Sequence, residues 1–152
     1  IEKTQINVFD IANYIISKIP KITNMKLQKL IYYAHAFHLI NFKEKLIDEN
    51  LQAWIYGPVF PKLYQEFCKY SYHALKKTPK GNDNKLLSNQ KETINLVIEK
   101  FGYMDGGDLS EQTHKEKPWL NAFNKSCDWE QNVITDKDLI KYFSKKNINN
   151  VI

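Results

Sequence analysis

Residues 23–42 read TNMKLQKLIYYAHAFHLINF, and this segment is the strongest indication of the fold class. Its apolar residues recur at the spacing of one helix face: Leu27, Leu30, Ile31, Ala34 and Phe37. Toward its end the segment is apolar on almost every side, which is typical of a helix surrounded by other elements. We therefore expect a buried central helix, capped at its start by Thr23 or Asn24.

Helical patterns also flank this segment on both sides. Apolar spacing, prolines at first turns and capping side chains predict six further helices. Three have both ends defined by the pattern, at about 7–18, 61–72 and 135–145. A fourth runs from Ser88 or Asn89 to Gly102, and two short ones begin at Asp108 and at Pro118. For the short helix at Asp108, that residue and Glu111 form the pattern of a capping box, with Gly106 and Gly107 as the turn before it. The sequence thus predicts about six or seven helices.

Two segments lack a helical pattern. Residues 45–57 hold either a short β-hairpin or an irregular segment, because they lead into the turn signal Gly57-Pro58 without helical spacing. Residues 76–85 gather Pro79, Gly81 and polar turn residues among lysines, which predicts a mobile surface loop. We interpret residues 1–152 as one domain, a compact and mainly α helical bundle.

The chain is basic, with 22 basic residues against 17 acidic ones, and every basic residue is a lysine. Without arginine it has no planar fork for carboxylate, phosphate or guanine. A candidate basic patch borders the junction of the first two helices: Lys18, Lys21, Lys26 and Lys29. This patch is either a site for DNA or RNA or a solvated basic face, and the lack of a base-reading motif favours the solvated face.

Cysteine use and hydropathy bear on the compartment. Cys68 and Cys127 form no CxxC pair and no disulfide framework, which favours the reducing cytoplasm. The most apolar stretch, residues 30–40, is interrupted by His35 and His38, and it is shorter than the roughly 20 residues that span a bilayer. We therefore expect a cytoplasmic protein without a membrane span.

Few residues suggest catalysis. His35 and His38 are three residues apart on one helix, where they are either metal ligands or hydrogen-bonded core histidines, and further ligands are not evident. Cys68 lies on a predicted apolar stripe, where a thiol is usually an inert packing group. No carboxylate pair, activated nucleophile or phosphate loop stands out. We therefore expect no catalytic, metal or cofactor site, and no enzymatic activity.

Three segments, taken in order, resemble the Panacea domain, the SocA-like antitoxin family first described as phage-associated proteins. The first combines DIANYI at 10–15 with ITNMKLQKLIYYAH at 22–35, the second is QAWIYGPVFPKLY at 52–64, and the third is LSEQTHKEKPW at 109–119. Their order and spacing are similar to the family's pattern over about residues 8–123. The chain therefore looks like a single Panacea-like antitoxin domain.

The resemblance implies a small helical cytoplasmic antitoxin that binds a toxin protein encoded by a neighbouring gene. Two other functions stay open, namely an adaptor that delivers a bound toxin to a cellular protease, and a Lys-rich regulator that binds DNA or RNA. The matching motifs supply the candidate partner-binding residues: Trp54, Tyr56, Gly57, Pro58, Val59, Pro61, Tyr64, Thr113, His114, Glu116, Pro118 and Trp119.

The second of these segments favours recognition over catalysis on physical grounds. Gly57-Pro58 fixes a chain reversal and Pro61 starts a helix directly after it. The result is a rigid corner that presents three aromatic side chains, Trp54, Tyr56 and Tyr64. Rigid aromatic residues are typical of binding hot spots.

The aromatic and polar residues around this corner also have a structural interpretation. Trp54 and Trp119 are large enough to serve as core anchors that hold the corner against the C-terminal helices. His114 and Glu116 are expected to orient the corner by hydrogen bonds. Both interpretations stay open at the level of the sequence.

Overall fold

A 19-residue helix, α2 (Asn24–Phe42), forms the centre of the computed structural model, which describes residues 5–128 and 131–146. Thr23 caps the helix, because its hydroxyl oxygen accepts the backbone N–H of Lys26. Every residue from 27 to 39 is buried, so the helix is covered on all sides over this length. The predicted central helix is confirmed.

Six shorter helices accompany α2 in the described part of the chain. They are α1 (Val8–Lys18), α3 (Pro61–Phe67), α4 (Ser88–Phe101), α5 (Gly106–Thr113), α6 (Lys117–Phe123) and α7 (Asp136–Phe143). Helices α4, α5 and α7 pack along α2, where the Tyr33 ring stacks on Phe101 with centroids 4.4 Å apart. The predicted mainly α class is confirmed.

A two-stranded β-hairpin occupies the segment for which the sequence left two alternatives. Strands β1 (Gln52–Trp54) and β2 (Gly57–Val59) pair antiparallel, and Ile55 and Tyr56 form the turn between them. On its other side, β1 is joined to the segment before α7, since the Ala53 N–H donates to the Asn132 carbonyl at 2.8 Å. The hairpin alternative is confirmed, and its second strand extends beyond residue 57.

Helix α5 begins earlier than the sequence predicts. Its cap is Asp105, whose carboxylate accepts the Asp108 N–H at 2.8 Å, so Asp108 is inside the helix and does not cap it. Gly106 and Gly107 are the first helical residues and not a preceding turn. A Cβ at Gly106 would lie 3.1 Å from Met25, so glycine here lets α5 start close against α2.

Helix α3 is shorter than predicted. It ends at Phe67, and a single 3₁₀ turn covers Cys68–Tyr70 instead of a helix that continues to residue 72. Leu63 and Phe67 face the core, whereas Cys68 is exposed. The placement of Cys68 on a buried apolar stripe was therefore wrong, because Cys68 follows Tyr64 by one helical turn and both side chains line an open groove instead of the core.

The loop at 76–85 is held against α1, although its composition predicts mobility. The Asn13 amide donates to the carbonyl oxygens of Thr78 and Gly81 at 2.9 and 3.1 Å, and its oxygen accepts the Thr78 N–H. The Asp10 carboxylate accepts the Asn82 N–H at 2.6 Å. Two buried polar residues of α1 thus fix a loop that has few apolar contacts of its own.

No helix within residues 5–128 and 131–146 is long and apolar enough to cross a lipid bilayer. One core cluster joins buried residues from the first described segment, at Ile6, to the last helix, at Phe143. The assignment of residues 1–152 to a single domain stays a prediction.

Candidate functional site

The turn of the β-hairpin is fixed by side chains from α5 and α6. Three consecutive carbonyl oxygens each accept one hydrogen bond, Trp54 from Trp119 Nε1 at 2.7 Å, Ile55 from His114 Nε2 at 2.6 Å, and Tyr56 from Ser110 Oγ at 2.5 Å. These bonds give each of the three carbonyl oxygens a side-chain donor. The second and third family-like segments of the sequence are therefore in direct contact.

Gly57 allows the hairpin to lie against α2 and α5. Its φ angle is +118°, in a region that side-chain-bearing residues rarely adopt. A Cβ at this position would lie 2.6 Å from the Lys29 side chain and 2.8 Å from Thr113 Oγ1. Glycine is thus required at this position for two reasons, the backbone conformation and the close approach of the hairpin to Lys29 and Thr113.

A groove of about 720 Å³ opens beside this corner, between the hairpin, the turn after α3 and the starts of α2 and α5. Among the described residues, nine large hydrophobic side chains are exposed, and five of them line this groove: Met25, Ile55, Tyr56, Tyr64 and Tyr72. Ile55 and Tyr56, at the turn, are 67% and 64% exposed. Exposed apolar groups are thus concentrated on one concave surface, which is typical of a binding site.

Lys29 is the charged group at the base of the groove. It is 1% exposed, and its amine has no hydrogen bond or ion pair with any described residue. Burial lowers the pKa of Lys29 to about 7, because an ammonium ion loses hydration there and gains no counterion.

Asn24 adds a second unsatisfied polar group to the same groove. Its side chain is buried, and within the described residues its Oδ1 atom has no hydrogen-bond donor. Buried side-chain oxygens of this kind are usually paired. The groove therefore combines an apolar rim with one unpaired donor and one unpaired acceptor.

Glu116 belongs to a different environment, the interior next to α2. Its two carboxylate oxygens accept the Tyr32 hydroxyl at 3.0 Å and the Tyr33 hydroxyl at 2.8 Å. Burial raises the pKa of Glu116 to about 7, and the two hydroxyl donors oppose that rise. The expectation that Glu116 orients the hairpin corner is corrected, because its bonds go to α2 and not to the turn.

The other candidate partner-binding residues divide into exposed and scaffold positions. Trp54 is half-buried, and its ring meets the exposed ring of Tyr64 edge-on at 4.9 Å, so both line the groove with Tyr56. Trp119 is buried as an anchor that stacks on Phe123 at 4.6 Å. Val59 also lines the groove, and the remaining candidates belong to the elements around it: Gly57, Pro58, Pro61, Thr113 and Pro118.

His114 has the orienting role expected of it. Besides its bond to the Ile55 carbonyl, its Nδ1 atom lies 2.5 Å from the Ser110 carbonyl oxygen, and its ring contacts Trp119 with centroids 4.3 Å apart. The imidazole is therefore enclosed between α5, α6 and the turn. This placement makes it a positioning residue for the corner.

The two histidines of α2 are hydrogen-bonded within the core. His35 Nε2 lies 2.8 Å from the Asp136 carboxylate, and His38 Nδ1 lies 2.8 Å from Thr93 Oγ1. Burial lowers the pKa of His38, opposed by the charge of Glu44. No group of three or more His, Cys, Asp or Glu residues in the described chain could hold a metal ion.

The predicted basic patch does not form one surface. Lys18 and Lys21 are exposed, whereas Lys26 is half-buried and donates to the Gly102 carbonyl, and Lys29 lies at the base of the groove. This prediction was wrong for Lys29 because lysine was assumed to be solvated. The position within the fully covered helix was the signal that would have shown its burial.

Several groove residues were not singled out from the sequence. Met25, Ile55 and Tyr72 are exposed and apolar, and Asn24 was considered only as a helix cap. Ile55 lies inside the family-like segment at 52–64, between two selected aromatic residues, which is a signal that could have found it. Tyr72 lies outside every such segment, and only the fold brings it to the groove.

Comparison with known proteins gives two matches. The family model described as "Antitoxin SocA-like, Panacea domain" matches residues 27–120, which include Lys29, the hairpin and Trp119. The chain is also similar to the protein named "Antitoxin SocA" of Caulobacter vibrioides (strain NA1000 / CB15N), with 31% identity over 125 residues. That alignment covers 72% of this chain and 66% of the relative's length. No solved structure gives a significant match.

Proposed function

Because the chain belongs to the SocA-like Panacea antitoxin family, we propose that it neutralises a toxin protein encoded by a neighbouring gene through direct binding. The proposal places both proteins in the cytoplasm. The observation that carries it is the groove, where five of the nine exposed large hydrophobic side chains in the described residues lie together.

The rigidity of the corner supports binding at this surface. Tyr56 lies in the turn and Trp54 directly before it, and the carbonyl oxygens of residues 54–56 are fixed by α5 and α6. A partner that docks there orders few further side chains, so less of the interaction energy is lost to conformational entropy. Aromatic side chains in such a setting commonly supply most of the binding energy.

We propose a binding role and not an enzymatic one. The groove contains the exposed thiol of Cys68, whose hydrogen bond goes to the Gln65 carbonyl at 3.8 Å and not to a side-chain base. Both oxygens of the buried Glu116 carboxylate accept hydroxyl groups of tyrosines. An activated nucleophile needs a base within hydrogen-bond distance, and these groups do not supply that pair.

The test is expression of the neighbouring gene alone and together with this chain. We expect the gene product to arrest growth alone, and we expect the chain to restore growth and to copurify with it. The double variant Tyr56→Ala, Tyr64→Ala should lose rescue. The matched control Tyr103→Ala, which removes an exposed tyrosine outside the groove, should keep it.

Two results would contradict the proposal. A neighbouring gene product that is harmless on its own would remove its basis, and full rescue by the double variant would move the binding surface elsewhere. The lifetime of the toxin in cells distinguishes blocking from delivery to a protease. Direct blocking predicts an unchanged lifetime, whereas a lifetime shortened by this chain would show the adaptor function.

A further inference from the structure

We propose that the groove recognises an acidic side chain of the toxin, presented within an extended segment between apolar neighbours, and that the carboxylate pairs with Lys29. The inference rests on the proposed function, because the occupant is the toxin. It starts from an unusual feature, a lysine that is 1% exposed and has no partner among the described residues.

Among the described residues that line the groove, Asp105 is the only acidic one, and it is already engaged. Asp105 lines the groove, but it caps α5 by accepting the Asp108 N–H at 2.8 Å, and its charge acts on Lys26. Both oxygens of Glu116 are bonded to tyrosines of α2. A buried ammonium without a counterion is unfavourable, so a carboxylate that arrives with a partner satisfies a need that the fold leaves open.

The rest of the groove indicates a peptide and not a small inorganic anion. The unpaired Asn24 oxygen needs an N–H donor, which the backbone of an extended segment supplies. The rim of Met25, Ile55, Tyr56 and Tyr72 suits the apolar side chains beside the acidic one. Donor, acceptor and apolar rim together match three chemical features of one peptide segment.

Protonation gives this recognition a pH signature. The pKa of Lys29 is about 7 in the free protein, and a bound carboxylate raises it because the opposite charge favours the ammonium form. Above pH 7, binding is therefore accompanied by uptake of a proton on the Lys29 amine. The other titratable groups that line the groove are Tyr56, Tyr64, Cys68, Tyr72 and Asp105, and Lys26 lies outside it on the Gly102 carbonyl.

The experiment is selection of random linear peptides, displayed without a free C-terminus, on the full chain and on Lys29→Met. We expect wild-type protein to enrich peptides with Asp or Glu next to apolar residues, and Asp→Asn in such a peptide to weaken binding at least tenfold. Lys29→Met should bind these peptides at least tenfold more weakly while keeping or raising its thermal stability. Lys18→Met, an exposed lysine, is the matched control and should bind like wild type.

A second measurement uses the wild-type protein alone. Calorimetry of a selected peptide at pH 8, in two buffers of different ionisation enthalpy, should show uptake approaching one proton. Enriched peptides without acidic residues, equal binding by Lys29→Met, or no proton uptake would each overturn the inference. If Lys29→Met still neutralises the toxin fully, the inference fails and the antitoxin function stands. If acidic peptides need Lys29 but the neighbouring gene product is harmless, the antitoxin function fails and recognition of an acidic segment by Lys29 stands.

Discussion

Two buried ionisable residues, Glu116 and Lys29, show how differently one domain treats its interior and its groove. Burial moves both pKa values to about 7, upward for the carboxylate and downward for the amine. Glu116 is 2% exposed, and its two carboxylate oxygens each accept a tyrosine hydroxyl. Lys29 lies under the hairpin turn with no partner in the described residues, at the base of an open groove.

The difference separates a group that holds the fold from one that is held ready for a partner. A satisfied buried cluster stabilises the native state and fixes its neighbours, so removing one member leaves the others unpaired. An unsatisfied buried charge destabilises the native state until something binds it. Removal of the Glu116 carboxylate should therefore lower the stability of the fold, whereas removal of the Lys29 amine should weaken binding without lowering stability.

The largest expected effect is on stability at the interior site. Glu116→Ala leaves two buried tyrosine hydroxyls without an acceptor, so we expect the free energy of unfolding to fall by about 3 kcal/mol in a denaturant titration. Lys29→Met should leave it equal or higher. Similar losses for both variants would contradict the distinction between the two sites.

Gly57 tests whether the turn positions the groove. Gly57→Ala places a side chain at φ +118° and 2.6 Å from Lys29, so we expect a loss of about 2 kcal/mol in unfolding free energy, together with weaker toxin binding. For the unfolding free energy the matched control is Gly107→Ala, at an exposed helical glycine where the nearest foreign atom to a Cβ is an Asp105 oxygen at 3.3 Å. Equal losses of unfolding free energy in the two variants would show that Gly57 has no special role in the fold.

The pH dependence of stability should carry opposite slopes from the two residues. Between about pH 4.5 and 7, Glu116 holds a proton in the folded state and not in the unfolded chain, so its contribution falls as pH rises. Between about pH 7 and 10.5 the unfolded chain holds the Lys29 proton and the folded state does not, so that contribution rises. Each slope is at most about 1.4 kcal/mol per pH unit.

Unfolding free energies measured against pH for wild type and two variants check these slopes. The curve of wild type minus that of Glu116→Gln gives the contribution of Glu116, below pH 7. The curve of wild type minus that of Lys29→Met gives the contribution of Lys29, above pH 7. Other shifted groups, such as His38 and Lys26, cancel in the differences. Flat difference curves would mean that neither group has the shifted pKa.

The smallest expected effect concerns one bond at the turn. Trp119→Phe keeps an aromatic ring against Phe123 but removes the Nε1 donor from the Trp54 carbonyl, at a cost of about 1 kcal/mol. Hydrogen exchange at residues 54–57 should become faster, because the turn loses one of its three fixed carbonyls. Unchanged exchange there would show that α6 does not hold the turn.

Much of the fold could be predicted from local patterns. The apolar stretch of α2, the proline starts of α3 and α6, and the cap at Thr135 all act within a few residues, so the sequence reports them directly. The start of α5 was less certain, since Asp105 and Asp108 are both good caps three residues apart. Packing of Gly106 against Met25 decides between them, and that contact is not local.

The candidate site could be predicted only in part. The aromatic residues of the corner followed from the motif at 52–64. The hydrogen bonds that fix the corner could not be predicted, because each joins two residues separated by between 54 and 65 positions in the sequence, and no local pattern reports such a contact. Lys29 was assigned to a surface patch because lysine is seldom buried. Its place under the turn depends on the missing side chain of Gly57, which only the folded arrangement shows.

The most direct test of direct binding through the groove is hydrogen exchange of the chain, free and in complex with the neighbouring gene product. The account predicts slower exchange on binding at the hairpin turn, the start of α5 and the start of α2, with little change on the outer face of α4. Protection confined to α4 or α1, with unchanged exchange at residues 54–57, would contradict it.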